Sequence, residues 1–193
     1  MLSKRVLILH GLGGSDFPHW QAQLASDLIK ENYIVSFPSF PSRDNPKLQE
    51  WKEFLKKELA HFKPDIVVCH SLANILWFHT CDELDIKLDK LMLVAPVSKN
   101  RSIEEAKTFY PYPIAKDLKA IEVIMAASTN DPYMSSSILI YGSFVEAAMI
   151  ISLAFKSFAI GYGKNVFASS KTAFLTGATS ISLSSFISNS SQV

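Results

Sequence analysis

A serine with the setting of a nucleophile stands at residue 71, just past the apolar run Ile66-Val67-Val68-Cys69-His70 and just before Leu72-Ala73-Asn74-Ile75. The pattern reads as a short strand that stops abruptly, followed at once by an apolar helix. Such an elbow holds a serine hydroxyl out at the end of a sheet, because the turn is too tight to bury it. The usual form is G-x-S-x-G, with small residues two before and two after the serine so that strand and helix pass closely. Cys69 and Ala73 hold those places here. They are small, and neither is glycine. Serine also caps helix N-termini routinely, and these residues alone leave both roles open for Ser71.

Attack on a carbonyl creates an oxyanion, which needs fixed N-H donors. The loop His10-Gly11-Leu12-Gly13-Gly14-Ser15 offers the Leu12 N-H, and the elbow offers that of Leu72. A plain tight turn would use the same glycines. The loop does not suit a nucleotide: Asp16 stands where G-x-G-x-x-G needs its third glycine, and no P-loop lysine follows. Further on, Asp131 in Ser128-Thr129-Asn130-Asp131-Pro132 follows a predicted strand, where an acid would orient a catalytic histidine. An aspartate before proline is also a common turn residue.

The elements that must position these groups alternate. Arg5-Val6-Leu7-Ile8-Leu9 is a continuous apolar run of strand length, suited to a strand covered on both faces. Residues 16–30 read as a helix with Trp20, Leu24 and Leu28 on its buried face, and 33–37 as a second strand. Residues 46–62 keep Leu48, Trp51, Leu55 and Leu59 at helical spacing, with Lys52, Glu53, Lys56, Lys57 and Glu58 marking a solvated face. After the elbow strand and a helix over 72–82, strands are predicted over 90–95 and 120–126. The segment 97–118, with Phe109, Tyr110, Pro111, Tyr112 and Pro113, reads either as a wall over an acyl pocket or as a packed linker. This alternation predicts an α/β fold: a doubly wound, mainly parallel sheet with helices on both faces. Ligands in such sheets bind at strand carboxyl ends, where His10, Ser71 and Pro96 all fall.

Composition narrows the chemistry. The chain has 193 residues, 48% hydrophobic and 19% charged, and a formal net charge of +1, which suits a sizeable core and small-molecule chemistry. Neither nucleic acid nor a membrane is expected as partner, and no metal or cofactor. Cys69 and Cys81 would lie on the elbow strand and the next helix, roughly 15 Å or more apart at the helical rise, and are expected to be free thiols. Residues 1–9 lack the features of a signal peptide, so a reducing cytoplasm is the expectation.

Taken in order, His10-Gly11-Leu12-Gly13-Gly14-Ser15, His19-Trp20-Gln21, Trp51, His70-Ser71-Leu72, Leu93-Val94-Ala95-Pro96 and Ser128-Thr129-Asn130-Asp131-Pro132-Tyr133 resemble one family. The set is similar to the small alpha/beta-hydrolases of the retinoblastoma-binding serine hydrolase and the bacterial YdeN-type esterases. The resemblance covers roughly residues 5–135 and is more specific than any one motif. It implies a serine hydrolase of small carboxylic esters or amides, with Ser71 as nucleophile and Asp131 as acid. The family's third member is a histidine in a Gly-His element near the carboxyl terminus. This chain has only His10, His19, His61, His70 and His79, so none follows Asp131. His10 and His19 are the ones expected near the site mouth, while His70 reads as a packed core residue. With the triad histidine missing, weak or lost activity is implied. A non-catalytic alpha/beta-hydrolase-like protein that binds a ligand or protein partner is the alternative.

Residues 1–137 read as the hydrolase-like core, and 138–193 as an atypical low-charge, serine-rich tail completing or abutting the same domain. The tail's charges are Glu146, Lys156, Lys164 and Lys171 alone, and it has no Asp, Arg, Pro, Trp, Cys or His. Residues 138–155 form an apolar run that reads as a buried helix followed by strand-like segments, and residues 176–193 as a fraying end. A reading-frame change produces such a break in composition. So does a divergent tail that docks through its apolar run.

Overall fold

The computed structural model describes residues 3–97, 102–128 and 148–153. Six strands form one sheet in the order β2-β1-β3-β4-β5-β6. They are β1 (Arg5–Leu9), β2 (Ile34–Ser36), β3 (Ile66–His70), β4 (Leu88–Val94), β5 (Ala120–Ser128) and β6 (Ala148–Leu153). Every neighbouring pair is parallel. Three helices connect them: α1 (Trp20–Lys30), α2 (Leu48–Phe62) and α3 (Leu72–Thr80).

Side chains of a strand alternate between faces, so each apolar run fills two cores. Val6, Ile8, Ile66, Val68, Met92 and Val94 meet Trp20, Leu24 and Leu28 of α1. Leu7, Leu9, Val67, Cys69, Leu91 and Leu93 meet Trp51, Leu55 and Leu59 of α2 and Leu72, Ile75 and Leu76 of α3 on the other face. The central runs Val6–Leu9 of β1 and Ile66–Cys69 of β3 are apolar and buried because both faces are covered, as the doubly wound expectation requires. Chain order reverses between β1 and β3, which are paired from Val6↔Ile66 to Leu9↔Cys69. In open sheets of this kind ligands bind beyond the carboxyl ends of the strands at such a reversal, which is where His10 and Ser71 stand.

Several boundaries differ from the sequence reading. α1 starts at Trp20 rather than residue 16, because the His19 ring caps it, Nδ1 accepting from the Gln21 N-H at 3.3 Å. β4 begins two residues earlier than expected, at Leu88, which pairs with Ala120. Residues 148–153 of the tail's apolar run form β6, not a helix, adding to β5 from Val123↔Ala148 to Ser128↔Leu153. A run without polar punctuation has no readable period, so Met149, Ile150 and Ile151 suited either state. The remainder of the tail lies outside the described residues.

The charged face of α2 is more than solvated. Lys52 and Lys56 converge on Glu83 at 2.5 and 2.6 Å, tying α2 to the short 3-10 turn that ends α3. Within segment 102–118, Phe109 is fully buried against Trp51, the Phe109 carbonyl meets the His79 Nε2 at 2.8 Å, and the Leu118 carbonyl accepts from the Trp77 indole. The segment is a packed linker over α2 and α3. Both cysteines are free and buried, as expected, in one core cluster. Burial pushes the Cys69 thiol pKa well up, with a smaller contribution from Cys81. Among the described residues no helix is long and apolar enough to cross a membrane.

Candidate active site

The site is built on the turn from β3 into α3. Ser71 has φ 52° and ψ −116°, a conformation that non-glycine residues adopt only when their surroundings enforce it, at about 1–3 kcal/mol. It occupies the N-cap position, yet its side chain makes no capping bond. Of the two roles left open by sequence, capping is therefore absent. The turn is enforced from β4: the Ser71 N-H donates to the Val94 carbonyl at 3.0 Å.

On the other side lies the loop after β1. A Cβ at Gly11 would fall 2.8 Å from the Ser71 Cβ and 3.3 Å from its Oγ, so only glycine lets this backbone lie against the serine. Leu12 follows directly, which brings its peptide to the same mouth. The loop is pinned beyond that point, with the Gly13 N-H donating to the Arg43 carbonyl at 2.9 Å and Asp16 pairing with Arg43 at 2.6 Å. Gly14, at φ 86°, sits in the left-handed region where a side chain would be strained, and a Cβ there would also have to displace the Arg43 guanidinium, 2.6 Å away. Leu72 is the first residue of α3, and the first N-H groups of a helix have no intrahelical acceptor. The helix N-terminus thus brings partial positive charge and unused donors beside the serine.

The serine hydrolase family model matches residues 6–143. The chain belongs to that family. Its fold is that of the alpha/beta hydrolases: the ydeN gene product of B. subtilis superposes with a TM-score of 0.67 at 20% identity, covering 89% of this chain and 99% of that one. A carboxylesterase of the ammonia-oxidizing thaumarchaeon Nitrososphaera gargenis gives a TM-score of 0.64 at 12% identity, over 91% and 89% of the two chains. The esterase domain of a Rhodothermus marinus protein gives 0.58 at 12%, over 88% and 85%. No curated protein matches.

His10 is 2% exposed and both ring nitrogens serve the backbone. Nε2 accepts from the Phe40 N-H at 2.8 Å, so Nδ1 carries the proton and meets the Gly11 carbonyl at 2.6 Å. Burial lowers its pKa, and its ring packs edge-on against Phe40 and Trp51. It braces the loop beside the elbow, and both of its ring nitrogens are taken up by backbone groups. His19 is held at the cap of α1, and burial lowers its pKa as well. His70 points to the α1 side, 5.4 Å from the Trp20 ring and 5.2 Å from that of His19. Burial, with smaller contributions from His19 and His10, pushes its pKa down to about 3. His79 is bound to the Phe109 carbonyl, and His61 is exposed at the end of α2. No described residue is hydrogen-bonded to the Ser71 hydroxyl. Asp131 lies outside the described residues. Among the described residues no group of three His, Cys, Asp or Glu could hold a metal ion.

Sequence reasoning missed one residue of this site. Asn74, one turn into α3, is fully buried and donates to both the Ser71 and the Val94 carbonyls. An asparagine inside an apolar helix was the available signal, because such a group must find partners.

Proposed function

We propose that this chain hydrolyses small carboxylic esters or amides through Ser71. The observation that carries the reading is the enforced backbone of Ser71 with Gly11 packed against it, which leaves the hydroxyl uncapped beside two candidate oxyanion donors. In this reading Ser71 Oγ forms a bond to the substrate carbonyl carbon. The carbonyl π electrons move onto oxygen, and the resulting oxyanion accepts hydrogen bonds from the Leu12 and Leu72 N-H groups. Collapse breaks the bond to the leaving group, which takes a proton from solvent and departs as the alcohol or amine; water then attacks the acyl carbon, releasing the carboxylic acid and returning a proton to Ser71 Oγ. Asp131 would orient a base, but no histidine follows it, so the serine proton passes to water or an added base. Loss of one triad member leaves about 10³ to 10⁴ over the uncatalysed rate. The carboxylesterase and esterase among the structural relatives favour ester substrates.

A second reading is a non-catalytic binding protein on the same scaffold. It is favoured by one observation: none of the five histidines bonds the serine. Labelling with excess fluorophosphonate, followed by mapping of the adduct, separates the two. Slow labelling confined to Ser71, abolished in Ser71→Ala, supports the hydrolase. Labelling elsewhere with Ser71 untouched overturns it.

A further inference from the structure

We propose that Asn74 is a positioning residue that clamps the Ser71 elbow to the tip of β4. Its Nδ2 donates to the Ser71 carbonyl at 2.8 Å and to the Val94 carbonyl at 3.0 Å. Both partners are acceptors only, which fixes the amide orientation. The Asn74 N-H donates to the same Ser71 carbonyl at 3.0 Å, and Val94 already accepts from the Ser71 N-H. Two carbonyls, one on each strand tip, are thus cross-linked by one side chain.

The clamp extends sideways. Ala95, after Val94, is itself at φ 45°, and its N-H donates to the Ala126 carbonyl at 2.8 Å. A line of bonds therefore runs from Ser71 through Val94 and Ala95 to β5, the strand that leads toward Asp131. Asn74 is fully buried and its Oδ1 has no partner, so the residue bears the cost of an unpaired acceptor. An apolar residue of that size would avoid this cost. What the amide supplies in return is two donors at the one place where the backbone is held at positive φ.

This inference rests on Ser71 being the nucleophile, and its test separates the two ideas. Asn74→Leu keeps the branching and heavy-atom count and removes the donors; Asn74→Ser, smaller with one donor, serves if the bulkier leucine does not fold. Thr80→Ala, at another fully buried polar residue of α3, controls for simple loss of stability. The readouts are the fluorophosphonate inactivation constant, its reversible binding constant, the thermal midpoint and amide exchange at Ser71 relative to Val68. The expected result is an inactivation constant lowered about 10- to 100-fold, as a displaced nucleophile gives, with binding of the reagent retained. The Ser71 amide then exchanges faster, and the midpoint does not fall in proportion. Thr80→Ala leaves the labelling rate as it was. Wild-type kinetics in the Asn74 variants, or unchanged exchange at Ser71, overturns the clamp. If the wild type never labels at Ser71, the nucleophile reading falls, and exchange alone decides whether Asn74 holds the elbow.

Discussion

The Cβ that Gly11 lacks would sit 2.8 Å from the Cβ of Ser71 and 3.2 Å from the His70 carbonyl oxygen. Gly11→Ala must therefore push apart the β1 loop and the elbow. Overpacking of this kind costs about 1–3 kcal/mol, and here it also moves the Leu12 peptide. The expected outcome is a lower denaturant midpoint with Ser71 labelling cut at least tenfold. Gly13→Ala is the contrast: its φ is 79°, but its Cβ would meet nothing nearer than 4.0 Å, so stability falls while labelling is largely spared.

An external base should substitute for the absent one. Ser71 is uncapped and its hydroxyl unclaimed by any described side chain, so a small base in solution has access to the proton that the missing histidine would take. Imidazole at millimolar levels is expected to accelerate fluorophosphonate labelling, with saturation, and a bulky amine of similar pKa is not. Equal acceleration by both, or none by either, would argue against a vacated base position beside the serine.

How much of this was legible in sequence follows from the range of the interactions. The elbow and the glycine loop are local, and small residues at Cys69 and Ala73 announce a close strand-helix passage. The fate of His10 was not legible, because its acceptor role is set by the Phe40 N-H thirty residues away. Asn74 was visible as a misfit in an apolar helix, yet its partners are carbonyls, which every residue carries and no sequence pattern marks.

The depressed pKa of His70 predicts an acid-side loss of stability. Its folded value is about 3 against an ordinary 6.5, so between those limits the unfolded chain binds a proton that the folded one refuses. Stability is retained above pH 6.5 and lost as pH falls toward 3. From pH 6.5 to 4 the loss is up to about 3 kcal/mol, the linkage ceiling for one proton. Urea midpoints for wild type and His70→Phe at pH 7 and 4 check it. The variant should lose less stability on acidification; parallel losses would mean that His70 is not the group responsible.

Both thiols are buried and held protonated, Cys81 with a pKa pushed up to about 12, first by burial and then by Asp82. A disulfide-exchange reagent needs the thiolate, so the native protein should titrate as nearly thiol-free at pH 8. Two thiols should appear when it is unfolded without reductant. Fewer than two in a monomer would contradict the free pair.

The last prediction concerns the gene. Residues 138–193 carry four charges, while the preceding segment carries the other 33 of the chain's 37, and no histidine occurs after Asp131. The family match ends at residue 143, shortly after that break begins. A hydrolase helix on this sheet needs a charged outer face, as α2 shows with Lys52, Glu53, Lys56, Lys57 and Glu58. Selection for an active, soluble fold would not remove charge and base together, whereas a shift of reading frame does so in one event. β6 does not decide between these histories, since an apolar, β-branched stretch such as Ala148–Leu153 can add to an open sheet edge whatever its origin. Translating the nucleotide sequence downstream of codon 135 in the other two forward frames is the check. The expected finding is a charged amphipathic helix, a strand and a Gly-His loop in one of them. Stop codons without that pattern in both would establish a divergent tail instead. If the pattern is present, restoring the frame should raise ester turnover by orders of magnitude, because Ser71 and Asp131 would regain the base between them.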